Sequence, residues 1–470
     1  MAVPWTVLSQ TQAIRDVVNE NLLAAAFFRP LQPNLIFREI LCGQGDQWIG
    51  NADSMKFTRD GLLAKRGRRR QPGLDPTPQI LSREQWTAVL ASFNDTIDCF
   101  MPDTILSVIN EWLSRLAALG SQSGRTMDSV VRDLAYAAGM AGNSYATALG
   151  VASVAFPVQC CYGFHEAVAT GESSLSDVSA ANTLAVTIGT STTASVVACT
   201  PTNSGPEGIY GPGVLTLAVA KSWSEYDRII SGSRSPIYRS GGGTSMHNIT
   251  QNDGLLVSTI RQVVAHMRNN SVPAALPNGD YAMFCSPNSI ASLLSDPDWK
   301  QQHGGLGDSD DAFAGMAVGR VAGCTVYETS TCPGQESIDG GGSFSIDDPF
   351  PGGSGMAEKS GSVRIERPII CGADGIVEHR LQSTPVSEAG LPGTLKAMSS
   401  ITADGIQINV NGIDLLLRPP MDRLGEVAAM TWKCKAGYGI PTDRLTGANA
   451  GTSTAERYKR FRIFEHGYPG

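Results

Sequence analysis

No Cys-x-x-Cys occurs in the chain, although it holds ten cysteines. Positions as scattered as Cys42, Cys99, Cys199 and Cys434 suit small buried hydrophobes in a reducing cytoplasm, not a disulfide framework. The adjacent Cys160 and Cys161 likewise read as structural and not as metal ligands. Charge is sparse, at 17% of residues. Its balance of −8, with a pI near 5.4, argues against a dedicated nucleic-acid binder, which is usually basic. No signal peptide is expected, because the first cation is Arg15 and no apolar core with a cleavage site follows. Ala146 to Phe164 lacks charge for 19 residues, yet its small residues, Pro157 and Gln159 make it a buried or interfacial segment and not a membrane span.

The motifs of enzyme chemistry are missing as well. There is no Gly-x-Ser-x-Gly elbow, no His-Glu-x-x-His and no Walker lysine. His165, His247, His266, His303, His379 and His466 are spread widely without an i, i+4 pair, and His266 beside core position Met267 reads as a rim residue. Asp308-Ser-Asp-Asp311 lacks the glycine and the later glutamate of a calcium loop. The expectation is therefore no catalytic residue, no cofactor and no metal. A site assembled from distant residues would escape this reading.

What the sequence does hold is 470 residues with 42% hydrophobic content, enough for two or three packed domains. The most legible stretch runs from Asp253 to Thr329 as helix, strand, helix, strand. Leu255, Leu256, Thr259, Ile260, Val263, Val264 and Met267 share one helical stripe. Asn278-Gly279-Asp280 supplies a turn into an apolar strand, Tyr281 to Cys285. Ser286-Pro287 then opens a short helix to Leu294, and Thr325 to Thr329 is a second strand that should lie beside the first. The corner Ser286-Pro287-Asn288 has no glycine to close on a phosphate, so the unit reads as scaffold and not as a nucleotide site.

Upstream, Met55 and Phe57 alternate with Lys56 and Thr58 as an outgoing strand, and Trp86 to Phe93 returns. Between them lie Lys65, Arg66, Arg68, Arg69 and Arg70, five cations in six residues that must form an exposed tip. Three uses are open for it: a solvated loop, docking on an acidic patch of an adjacent copy, or contact with DNA phosphates. From Asp103 to Met140 the pattern is helical, with Gly120-Ser-Gln-Ser-Gly124 predicting a kink or break. Leu184, Val186 and Ile188, and again Leu215, Leu217 and Val219, alternate as strands. Ile406 to Val410 and Ile413 to Leu417 flank Asn411-Gly412, the signature of a tight hairpin.

The order Asp280-Tyr-Ala-Met-Phe-Cys-Ser-Pro-Asn288, Asp296-Pro-Asp-Trp-Lys300 and Gly319-Arg-Val-Ala-Gly-Cys-Thr-Val-Tyr-Glu-Thr329 resembles the axial-domain core of tailed-bacteriophage major capsid proteins, of the Hong Kong 97 type and nearest its phage N-four branch. Thr126 to Asp133 resembles the family's spine helix, and Gly425 to Gly439 its closing strand segment. The resemblance covers about 50–145, 253–330 and 420–467.

It implies an α+β fold with an N-terminal arm over 1–50, an extended loop and peripheral strands over 51–100 and a spine helix over 101–145. An axial core over 253–333 and a closing segment over 419–470 complete it, while 146–252 and 334–418 depart from the family pattern and read as a β-rich peripheral or inserted region and a β-rich insertion. It further implies a virion protein whose hexamers and pentamers enclose double-stranded DNA by weak contact. Copies of itself would be its partners, with cement, scaffolding and portal proteins as further ones, and no membrane. Two readings from other classes stand beside it: a β-rich binding or adhesion protein, and a hydrolase with an unrecognised site.

Overall fold

The computed structural model describes residues 36–44, 54–60, 83–100, 111–168, 175–202, 208–231, 237–242, 248–304, 319–329, 332, 358–359, 363–380, 406–410, 413–418, 427–440 and 459–469. The first part of the chain gives α1 (Ile36–Leu41), β1 (Cys42–Gln44), β2 (Ser54–Asp60), β3 (Arg83–Phe100) and the long α2 (Glu111–Gly139). Eight strands follow: β4 (Asn143–Tyr145), β5 (Gly150–Val158), β6 (Glu166–Val168), β7 (Leu175–Asp177), β8 (Leu184–Ile188), β9 (Thr192–Pro201), β10 (Gly213–Trp223) and β11 (Arg228–Ser231). Then come β12 (Ile237–Arg239), α3 (Val257–Asn269), β13 (Tyr281–Cys285), α4 (Pro287–Ser295), α5 (Pro297–Gly304), β14 (Arg320–Val321) and β15 (Cys324–Glu328). The last part holds β16 (Glu358–Lys359), β17 (Val363–Glu366), β18 (Ile369–Cys371), β19 (Ile376–Arg380), β20 (Ile406–Val410), β21 (Ile413–Arg418), β22 (Val427–Gly439) and β23 (Phe461–Pro469).

Apart from the small β6–β7 hairpin, the described strands form three sheets, and the fold is α+β. The first runs β1-β19-β22-β21-β20, with β3 joined to β22 and β2 to β3. The second runs β4-β11-β8-β9-β10-β5, and the third β14-β15-β13-β18-β23-β17-β16 with β12 on β23. Strands of the 334–418 segment are thus shared between the first and third sheets.

The third sheet contains the unit most legible in the sequence. β13 and β15 pair in parallel, Tyr281 opposite Cys324, with α4 and α5 as the crossover between them. Ser286 caps α4, its Oγ accepting from Ser289 N at 3.2 Å, and Pro287 takes the first helical position, where its missing N–H costs nothing. The helix expected from Asp253 starts at Val257. Asp296 explains the start: one carboxylate oxygen accepts from Val257 N at 2.8 Å and the other from Asp298 N at 3.0 Å, so one buried residue caps α3 and α5 together.

α2 runs unbroken through Gly120 and Gly124, where the sequence predicts a kink or break. Both glycines are buried. Burial against the sheets offsets the helix penalty of about 1 kcal/mol per glycine. Ser123 and Thr126 keep their hydroxyls within the helix, donating to the carbonyls of Gly120 and Gln122. Leu116, Met127, Val131, Leu134 and Tyr136 of α2 share one core with Phe284, Ile413, Met430 and Trp432, so this helix joins the first and third sheets. The second sheet has its own core, around Phe156, Val186, Val196, Leu215 and Trp223.

Candidate assembly surfaces and buried junctions

β3 is one strand with two roles. From Leu90 to Phe100 it pairs antiparallel with β22, inside the first sheet. From Arg83 to Val89 it pairs with β2. Among the described strands β2 has no other partner, so the hairpin leaves the sheet as a two-stranded ribbon. The sheet half is pinned to α2: Gln122 joins its amide to Asp95, Trp432 Nε1 donates to Gln122 Oε1 at 3.3 Å, and Arg115 donates to the Asp98 carbonyl at 2.6 Å. The last pair of the ribbon is Asp60 with Arg83. Lys65, Arg66, Arg68, Arg69 and Arg70 fall in the connection between these two residues, outside the described residues. The segment 1–35 and Asp308 to Asp311 lie outside them too.

Two buried ionic junctions fix the layers. Arg38 of α1 makes a two-pronged contact with Glu378 of β19, at 2.7 and 3.2 Å, and Arg380 adds a third bond at 3.0 Å. Burial alone would raise the Glu378 pKa, but the two guanidiniums hold it below the usual carboxylate value. Behind this pair, Asp128 of α2 accepts from Arg38 N at 3.0 Å, and burial pushes its carboxyl up to about 7. At the second junction Glu465 of β23 receives Tyr145 at 2.6 Å, Arg239 at 2.9 Å and Arg367 at 3.1 Å. Here again burial opposes ionisation, but Arg239 and Arg367 hold the carboxyl below its usual value.

A third buried group bears on catalysis. Ser289 Oγ lies 2.8 Å from His466 Nε2, the spacing of a nucleophile and its base. His466 Nδ1 faces the Gly467 carbonyl at 3.2 Å, so Nδ1 carries the proton and Nε2 accepts from the serine. Burial lowers the His466 pKa to about 4. Both residues are fully buried, and nearby Glu366 is engaged by Ser286 at 2.8 Å and Asn288 at 2.9 Å. The contact locks β23 to α4.

Among the described residues no group of three or more His, Cys, Asp or Glu side chains is placed to hold a metal ion. His266 is half-buried on α3, and all ten cysteines are free thiols. Among the described residues no helix is long and apolar enough to cross a membrane, and the uncharged stretch from Ala146 to Phe164 contains β5.

Sequence reasoning did not reach the ionic junctions, whose partners are 340 residues apart for Arg38 and Glu378 and 320 for Tyr145 and Glu465. It also read Val219 as alternating with Leu215 and Leu217 along one strand. The structure exposes it, because the register of β10 against β5 shifts between Thr216 and Lys221 and the alternation of faces is lost.

No family model matches the chain, and no curated protein does. Among solved structures it is similar to the capsid of Ralstonia phage GP4, at 10% identity over 92% of this chain and 91% of that one, with a TM-score of 0.47. The acidic-stable capsid of Helicobacter pylori bacteriophage KHP30 gives the same figures. The capsid of cyanophage P-SCSP1u is similar at 10% identity over 92% of this chain and 88% of that one, with a TM-score of 0.44.

Proposed function

We propose that this chain is a major capsid protein of a tailed bacteriophage, a structural and non-catalytic protein that assembles with copies of itself. The observation that carries the reading is the ribbon of β2 and Arg83–Val89, which hydrogen-bonds to no third strand among the described residues. A two-stranded ribbon is marginal in water by itself and gains stability when another surface covers it. The order of motifs along the chain supports the same reading, since the unpartnered ribbon falls where the capsid family carries an extended loop. Contacts between unlike surfaces of identical copies close into rings, which suits hexamers and pentamers of an icosahedral shell.

In this reading the cationic tip, Lys65 to Arg70, lies on an acidic patch of the adjacent copy, and residues 1–50 act as an arm. The net charge of −8 suits a container that holds double-stranded DNA without adhering strongly to it. The shell belongs to the virion and assembles in the host cytoplasm, with cement, scaffolding and portal proteins as further partners. Sedimentation velocity of the purified chain over a range of concentrations tests this. Ring-sized or shell-sized species are expected, and a single monomer boundary up to high concentration would overturn the reading.

A further inference from the structure

The second sheet ends in a segment whose residues face solvent one after another and not alternately. On β5 these are Val151, Ala152, Val154 and Ala155, and on β10 Ala218, Val219 and Ala220. The cause is the irregular register: Thr216 lies opposite Ala155, yet Lys221 already lies opposite Ser153. Ala152 takes a left-handed conformation, φ 47°, and its N–H is satisfied by Ser222 Oγ at 3.0 Å. The result is a second ribbon, open on both faces. Val151 is 75% exposed, Val219 63%, Val154 45% and Leu149 beside them 67%. An apolar cluster of this kind on a soluble surface marks a contact site. β5 is also the outer strand of its sheet.

Next to the ribbon, the outer face of the same sheet forms an open trough of about 500 Å³. Ala185, Thr187, Thr193, Ser195 and Ile230 line it, short side chains without charge. Lys221 is the one charged residue in β5 and β10 together, and it is also the one charged residue lining the trough.

We propose that the ribbon of one copy docks in the trough of a second copy, Val151 and Val154 lying against Thr187 and Thr193. The proposal rests on the self-assembling reading above and names a contact for it. Two observations select a second copy as occupant. Both surfaces are uncharged over nearly all their extent, so identical copies meet without repulsion and nothing recruits an acidic or basic partner. Ala218 and Val219 belong to the trough's own wall, so a copy cannot fill its trough with its own ribbon. The contact would join two different surfaces, and a head-to-tail contact of that kind propagates into a ring where the rotation closes and into an open filament where it does not.

The test uses full-length chains. A Val151→Cys chain carrying heavy nitrogen is mixed with a Thr193→Cys chain of natural isotope content, oxidised with copper phenanthroline, and mapped by peptide mass spectrometry. A mixed-isotope 151–193 peptide is expected. A Val151→Asp, Val154→Asp chain should keep its circular dichroism and melting temperature, because both positions are exposed, yet give at least tenfold fewer particles. Particles at the unsubstituted yield from that variant, with no 151–193 peptide, would overturn the docking and leave the shell reading intact, with another protein covering the ribbon. The cross-link without any particle would uphold the docking and remove the shell. Neither cross-link nor particle would overturn both.

Discussion

Tyr145 donates its phenol to Glu465 at 2.6 Å across the boundary between the second and third sheets. The bond joins β4 to β23 through two fully buried side chains, and Arg239 and Arg367 close around the same carboxylate. Two cations around one anion make Glu465 the member whose loss is felt most.

Glu465→Gln should therefore cost about 3–5 kcal/mol, the range for removing one partner of a buried ion pair. Tyr145→Phe removes one hydrogen bond to a charged group and should cost about 1.5–3 kcal/mol. Urea unfolding of the two variants checks the order. A glutamine variant as stable as the parent would show that the junction contributes nothing.

Asp128 and His466 should titrate against each other. Asp128 has a folded pKa of about 7, above its ordinary 3.8, so the folded state binds its proton more tightly and stability from this group rises as pH falls from 7 towards 3.8. His466 has a folded pKa of about 4, below its ordinary 6.5, so the unfolded state takes its proton first and stability is lost as pH falls from 6.5 towards 4. In that window the two slopes oppose, each about 1.4 kcal/mol per pH unit. The parent should change little there on their account, whereas Asp128→Asn should lose stability steadily on acidification and His466→Gln should gain it. Parallel pH profiles for parent and both variants would contradict this. Below about pH 4.5 Glu378 and Glu465, both held below their ordinary value, add a further loss in every chain.

How much of this was legible in the sequence depends on how far apart the interacting residues are. The crossover from β13 to β15 was readable because period, cap and turn residues all lie within Asp253–Thr329. The hairpin of β20 and β21 was readable from Asn411-Gly412, and Val410 pairs with Ile413 as a two-residue turn requires. The continuity of α2 was not, because Gly120 and Gly124 are buried and Gln122 between them is held by Asp95 and Trp432, the second 310 residues away. The exposure of Val219 was hidden by a register shift that no local pattern announces. The expectation of an exposed tip from Lys65 to Arg70 rests on charge alone, and those residues lie outside the described ones.

Gly150 should tolerate no side chain. A Cβ there would collide with the Trp223 ring, which is held by its Nε1 bond to the Ala148 carbonyl at 2.9 Å and by Phe156 at a 4.5 Å centroid distance. Gly150→Ala should cost about 1–3 kcal/mol through overpacking, read from the denaturation midpoint. An unchanged midpoint would mean that the ring moves aside freely.

Replacing Arg66, Arg68, Arg69 and Arg70 with serine should leave the unfolding transition within about 0.5 kcal/mol of the parent, as for surface changes in general, while lowering particle yield. Normal yield from this variant would remove the proposed contact between copies.

The most direct measurement is a single-particle reconstruction from electron micrographs of the purified, unsubstituted chain. The account predicts closed shells in which the ribbon of β2 and β3 lies over a neighbouring copy. A compact solitary molecule, with that ribbon and the cationic tip folded onto its own body, would contradict it.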